Sequence, residues 1–222
     1  MKKGIHVGIY LVSAALITLT AVRFGVFKRS SRIVELEKAV LEMRSTIHME
    51  SMRQYQIQKV MAIIRQYNVK MPQHESYEIA EEIFNMSQKY NNLNVDLICA
   101  TISHESAGTW NPEIKSPAGA LGLMQIMPAT GMFIAAFDGI NWSSAEEVLC
   151  DPIYNIRIGS RYLSSLIDLY DVDGGLAAYN GGEHRAALWI GSGKAHGILF
   201  EETASYVPAI QRLYQEFRDF RL

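Results

Sequence analysis

The sequence predicts a mainly α protein in three parts: a membrane-spanning helix, a coiled-coil-like helix and a helical globular domain. Three observations predict it. Residues 4–22 contain no Asp, Glu, Lys or Arg. Residues 30–71 contain no Gly or Pro and space their apolar side chains by threes and fours. From Ser76 onward the apolar spacing is helical, with no alternating run long enough for a substantial sheet.

The first element is read as an uncleaved anchor. Ile9, Leu11, Val12, Ala14, Ala15, Leu16, Ile17 and Leu19 fill the run, whose helical length approaches the roughly 30 Å of a bilayer's hydrocarbon core. A cleaved signal peptide is the competing reading, because Lys2-Lys3 ahead of an apolar stretch also begins such peptides. Against cleavage, no small-x-small site closes the run and no nearby cysteine invites lipidation. Arg23, Lys28, Arg29 and Arg32 outnumber Lys2 and Lys3, so flanking charge alone would place the carboxy-terminal part in the cytoplasm.

The second element places Ile33, Leu36, Val40, Met43, Ile47, Ile57, Met61 and Ile64 on one narrow seam, interrupted by Glu50 and Gln54. A narrow seam suits self-association through residues 33–64; the alternative is an amphipathic helix folded back on the globular domain. Met71-Pro72 ends it, since proline disfavours helical geometry in the residue before it. The divisions are therefore an anchor over 1–28, a stalk over 29–71 and a globular domain over 72–222.

In that domain Ile79, Ala80, Ile83, Phe84 and Tyr90 form one stripe, and Asn94 is placed to cap a helix over Val95 to Ser106. Asp151-Pro152 reads as a cap and first-turn proline for a helix turning Ile156, Leu163, Leu166, Ile167 and Tyr170 inward. Asp173-Gly174-Gly175 and Gly181-Gly182 read as breaks. Tyr206, Ile210, Leu213, Tyr214 and Phe217 line a last helix.

Of the 222 residues, 49% are apolar and 20% charged, a globular composition. The net charge of −2 conceals an asymmetry. Residues 1–70 hold 12 Lys/Arg against 4 Asp/Glu, and 71–222 hold 9 against 19. The acidic globular part would repel a polyphosphate backbone, which argues against nucleic acid as its partner. Cys99 and Cys150 sit in apolar runs without a CxxC pair. Buried thiols are the preferred reading, with a single disulfide left open outside the cytosol. No ligand spacing for a metal is present, and His104-Glu105 lacks the second histidine of a zinc protease because residue 108 is glycine. No cofactor is implied.

Chemistry concentrates in four places. Glu105 continues the row of Ile98 and Ile102 by one turn, so the face that enters the core also carries a carboxyl. Burial would raise its pKa and let it donate a proton near neutrality; the alternative is a solvated glutamate at a helix end. The segment Ser116 to Pro128 is glycine- and proline-punctuated yet carries Leu, Met and Ile. Its glycines at 119 and 122 allow close backbone approach, Met124 offers a flexible apolar surface and Gln125 an amide for sugar hydroxyls. Tyr179-Asn180 precedes Gly181-Gly182, and Glu202 and Tyr206 stand one helical turn apart.

Taken in order, His104-Glu105-Ser106, Ser116-Pro117-Ala118-Gly119-Ala120-Leu121-Gly122-Leu123-Met124-Gln125-Ile126-Met127-Pro128, Asp151-Pro152 with Asn155-Ile156, Ala178-Tyr179-Asn180-Gly181-Gly182, and Glu202-Thr203 with Tyr206-Val207 resemble one family. It is that of the lytic transglycosylases with a soluble-lytic-transglycosylase-type domain, relatives of goose-type lysozyme. The resemblance runs from about Tyr77 to Phe217. It implies a lysozyme-like helical fold that cleaves the MurNAc-β-1,4-GlcNAc bond of peptidoglycan without water, at the periplasmic or outer side of a bacterial inner membrane. It places the catalytic acid/base on Glu105 and substrate contacts on Ser106, Ser116, Met124, Gln125, Tyr179, Asn180, Glu202 and Tyr206. Gly108-Thr109 lengthens the link to Trp110-Asn111-Pro112 relative to the commonest family spacing.

Two alternatives stay open at this point. Ordinary hydrolysis by a muramidase of the same fold would need a second carboxylate, for which Glu113, Glu183, Glu201 and Glu202 are available. A weakly active or inactive wall-binding assembly protein would keep the fold without the chemistry.

Overall fold

The computed structural model describes residues 2–222, with side chains at Leu16, residues 18–24, Lys28, Arg32 and from Val34 onward. Eight helices follow in order: α1 (Lys2–Tyr67), α2 (Gln73–Lys89), α3 (Val95–Glu105), α4 (Pro128–Asp138), α5 (Ala145–Leu149), α6 (Pro152–Gly181), α7 (Glu183–Gly191) and α8 (Glu201–Asp219). Among the described residues there is no strand, only isolated bridges of Leu121 with Lys115 and Ile126.

The chain divides into two units, residues 1–52 and 53–222. In the first, Leu36, Val40, Met43 and Ile47 of the expected seam are exposed. Most of the expected anchor, residues 4–22, has side chains outside the described set; among the described residues no helix is long and apolar enough to cross a membrane.

The second unit begins at residue 53, where the sequence pattern draws its boundary at 71/72. Ile57, Met61 and Ile64 are buried in its core together with Val60 and Ile63, so the lower seam packs against its own chain and is not available to a second copy. Lys59, only 4% exposed, donates to Asp96 on α3 at 2.8 Å. The Tyr67 ring meets Phe217 edge-on at 6.3 Å. The last turns of α1 are therefore a wall of the globular unit. Apolar spacing alone does not distinguish these two destinations, because both bury a stripe of the same period.

Helix α3 is the centre of this unit. Val95 to Ser103 are buried without exception other than the partly exposed Asp96, which requires neighbours on every side. Asn94 caps it, its side chain accepting from Leu97 N at 3.0 Å, and α8 lies along it. Asp151 caps α6 by accepting from Ile153 and Tyr154 N, both at 2.9 Å. Helix α6 packs on α2, α4, α5, α7 and α8, and its Arg157 forms a two-pronged ion pair with buried Glu82 of α2, at 2.8 and 3.0 Å.

The expected break at Gly174-Gly175 is displaced. The backbone departs from helical geometry at Asp171 (φ 59°, ψ 179°), and both glycines lie within α6, buried. Their service is close packing: a Cβ on Gly175 would stand 2.8 Å from the Ile167 backbone, and one on Gly174 2.7 Å from the Tyr170 Cβ. At Gly182 (φ 87°) the chain does turn, as expected.

Asn155 ties the 121–124 segment to α5 and α6. Its amide donates to the carbonyls of Leu121 at 2.9 Å and Leu149 at 2.8 Å, while its Oδ1 accepts from Met124 N at 2.7 Å. Gly122 (φ 77°) leaves the room this needs, since a Cβ there would lie 2.2 Å from Asn155 Nδ2. The near-isosteric Asn155→Leu strands two carbonyls and one amide in the interior. Urea denaturation should show a loss of about 3 kcal/mol or more, against less than 1 kcal/mol for a solvent-facing change such as Asn91→Leu.

Candidate active site

Glu105 is the last residue of α3 and sits at the meeting point of α3, α6 and α8. Its Oε1 accepts a 2.6 Å hydrogen bond from the hydroxyl of Tyr206, which is 2% exposed. The two residues are 101 apart in sequence. The solvated-helix-end alternative is thereby set aside: burial raises the Glu105 pKa to about 7, the negative charge of Glu202 pushes in the same direction, and the Tyr206 hydrogen bond opposes both. A helix carboxy-terminus also disfavours negative charge. Tyr206 is itself held well above the usual phenol range by burial, then by the Glu105 charge and by Tyr179, so it remains a donor.

The turn after Glu105 is tightly specified. Ala107 (φ 51°), Gly108 (φ 68°) and Trp110 (φ 49°) are all left-handed, an uncommon conformation for Ala and Trp. Interior bonds hold it there. Trp110 is fully buried, its Nε1 donating to Ser103 Oγ at 2.9 Å and its backbone N to Ser106 Oγ at 3.1 Å. Ser106, expected to touch substrate, is instead 0% exposed with its hydroxyl committed to this turn. The lengthened Gly108-Thr109 link is accommodated by these same bonds, with Gly108 against the Tyr67 ring.

Other expected contacts also work from within. Met124 is 0% exposed, its thioether in the core and its carbonyl accepting from Tyr179 OH at 2.7 Å. Gln125 (φ 47°) turns its amide nitrogen inward to the carbonyls of Gly122 at 2.8 Å and Ile114 at 3.2 Å. Ser116 Oγ accepts from Ala120 N at 3.0 Å, closing the turn that starts the segment. Asn180 Oδ1 accepts from Thr203 Oγ1 at 2.7 Å, joining α6 to α8. Tyr179 is raised well above its ordinary pKa by burial and by Glu105, which places it in the same electrostatic environment as the acid.

Glu202 is exposed on the first turn of α8 and is the carboxylate whose charge reaches Glu105. Glu183 lies elsewhere, lining a groove of about 570 Å³ between α4 and α6 with Phe133, Phe137, Arg161 and Tyr162. That groove adjoins the site through the Tyr162 and Tyr179 rings, 5.3 Å apart. Cys99 and Cys150 are free thiols, the first buried and the second partly so. The motif that contains His104 gives it no role of its own at the site. Its ring stands edge-on to Tyr206 with centroids 4.7 Å apart, a contact that only its place beside Glu105 hints at in sequence.

The helical domain, with Glu105 at the end of its central helix, is of the lysozyme-like class. Within that class the chain belongs to the transglycosylase SLT domain family, whose model matches residues 82–199. It is 36% identical over 131 residues to the soluble lytic murein transglycosylase of Escherichia coli strain K12, a match covering 54% of this chain and 20% of that one. It is 30% identical over 135 residues to the membrane-bound lytic murein transglycosylase C of Histophilus somni, covering 56% and 34%. The crystal structure of the 70 kDa soluble lytic transglycosylase from Escherichia coli superposes with a TM-score of 0.55 at 29% identity, covering 64% of this chain and 25% of that one. The chain thus spans about a fifth to a third of the length of these relatives.

Two measurements check the electrostatics. Because the Tyr206 bond lowers the Glu105 pKa, Tyr206→Phe should move the carboxyl titration, followed by carbon-13 NMR, upward from about 7. A folded-state pKa raised from 4.5 to about 7 means that wild-type stability is lost as pH rises through that interval. Glu105→Gln removes the loss, so thermal or urea unfolding should find the variant at least as stable at pH 4 and relatively more stable, by on the order of 3 kcal/mol, above neutrality.

Proposed function

We propose that this protein is a peptidoglycan lytic transglycosylase that cleaves the MurNAc-β-1,4-GlcNAc bond with Glu105 acting first as acid and then as base. The observation that carries this reading is the partly buried Glu105 carboxyl, bonded to Tyr206 at 2.6 Å and protonated near neutral pH. The neutral carboxyl protonates the bridging oxygen, and GlcNAc departs with a free 4-hydroxyl. An oxocarbenium-like centre develops at the MurNAc C1. The Glu105 carboxylate, stabilised by the Tyr206 hydroxyl, then takes the proton of that sugar's C6 hydroxyl, and O6 closes on C1. The product is a 1,6-anhydro ring, and the acid is regenerated. One carboxyl suffices because the nucleophile is tethered in the substrate at high effective concentration.

A carboxyl with a pKa near the working pH suits both halves of this cycle, since a much stronger acid would be deprotonated beforehand and a much weaker one would not give up its proton. Tyr179, close enough to Glu105 for its charge to be felt, is the aromatic assigned to meet a sugar ring.

The proposed location follows from the substrate. Residues 4–22 serve as an inner-membrane anchor that leaves the catalytic unit in the periplasm or cell exterior, where peptidoglycan lies. The charge-free run and a membrane-bound relative support this. Any self-association is confined to the exposed upper seam, Leu36 to Ile47.

Incubating the chain with purified peptidoglycan should release soluble muropeptides whose masses are one water lower than hydrolysis products. Glu105→Gln should reduce release by at least a thousandfold. Products of hydrolytic mass would assign the reaction to a muramidase, with Glu202 as the candidate second carboxylate. Binding to peptidoglycan without release would assign a wall-binding role.

A further inference from the structure

His104 and Glu105 are adjacent on α3, and both engage Tyr206 of α8. Consecutive helical residues point about 100° apart, so the two hold the tyrosine from different sides. Glu105 accepts from its hydroxyl at 2.6 Å, while the His104 imidazole meets its ring at 4.7 Å and 75°. Tyr206 has no solvent around it to permit another arrangement, being 2% exposed. Removing the imidazole would open a gap against the ring whose orientation aims the hydroxyl at the acid.

We propose that His104 is a positioning residue for the lytic step: its neutral ring braces Tyr206 against Glu105, and its protonation disables the pair. This rests on the proposed acid role of Glu105. The titratable groups around the imidazole are Glu105 from its own helix and Tyr206 and Glu202 from α8, with Tyr179 of α6 facing Glu105 and Tyr206. Burial holds His104 below its ordinary value of 6.5, with Glu202 opposing, so the ring is neutral where Glu105 is still protonated. An imidazolium in this place sets a positive charge across the Tyr206 side chain from Glu105. An opposite charge favours carboxylate over acid, withdrawing the proton that the first step must deliver.

The kinetic consequence is specific. With Glu105 the sole titrating group, kcat/KM has an alkaline limb near its pKa and is flat on the acid side while the protein stays folded. His104 adds an acid limb below 6.5. The test measures kcat and KM for the full chain in detergent on purified glycan strands from about pH 4 to 9, with circular dichroism confirming the fold at each pH. His104→Ala should lower kcat about tenfold at neutral pH with KM within about twofold. His104→Phe, which restores a ring without a titrating nitrogen, should recover most of that kcat and lack the acid limb. The proposal is overturned if His104→Ala matches wild type, if Phe fails to recover the rate, or if the acid limb is absent from wild type or survives in His104→Phe. In any of those cases an inactive Glu105→Gln leaves the acid role of Glu105 standing, whereas an active Glu105→Gln removes both.

Discussion

The hydrogen bond from Tyr206 to Glu105 joins the end of α3 to α8, and the rest of the site is arranged to keep it short and dry. A carboxyl at a helix carboxy-terminus experiences the negative end of the helix dipole as well as the loss of water. Both disfavour its ionised form, and a like charge on Glu202 adds to them. A single donor opposes all three. The resulting pKa of about 7 records that desolvation outweighs the hydrogen bond without overwhelming it.

Holding a carboxyl in such a place requires a scaffold that does not relax. Burial of α3 on all sides supplies much of it. The turn that follows adds two left-handed non-glycine residues, whose strain of order 1 kcal/mol each is tolerated because Trp110 is locked to Ser103 and Ser106. On the facing wall Asn155 satisfies three backbone groups at once, and Tyr179 then bonds the Met124 carbonyl. Many polar side chains in the motif segments are committed to backbone groups. These conspicuous residues fix the backbone around Glu105.

That commitment explains which parts of the molecule were legible in sequence. Asn94 and Asp151-Pro152 were, because a cap bonds backbone within three residues of itself and its geometry is local. The inward stripes of α2, α6 and α8 were, because periodicity is local too. Glu105 could be put on the core-facing side of α3, but its partner lies 101 residues away, and the nomination of Tyr206 came from motif order and not from spacing. Ser106, Met124 and Gln125 were expected to face a ligand, since a hydroxyl, thioether or amide beside an acid looks the same in sequence whether it turns inward or outward. Gly174-Gly175 was misplaced as a break for a related reason: glycine permits a turn and equally permits a close helix contact, and only Ile167 and Tyr170 decide between them. The unit boundary moved from 71/72 to 52/53 because one apolar stripe served two different neighbours along its length.

The placement of Glu202 and Tyr206 on successive turns of α8 gives one helix control over both directions of the acid's poise. The hydroxyl lowers the Glu105 pKa and the carboxylate raises it, so a rigid displacement of α8 toward α3 strengthens both and partly cancels. A tilt of α8 does not cancel, because the two groups lie one turn apart along its axis and a tilt advances one while withdrawing the other. Resistance to tilting is therefore the property the fold must guarantee, and its anchors are the buried ones: Thr203 bonded to Asn180 between Glu202 and Tyr206, and Phe217 set against Tyr67 at the far end. Thr203 also fills the space that Gly181 leaves, where a Cβ would lie 2.5 Å from its hydroxyl oxygen. Gly181 thus matters to the acid at a distance, by helping to fix the angle at which α8 presents its two opposing groups.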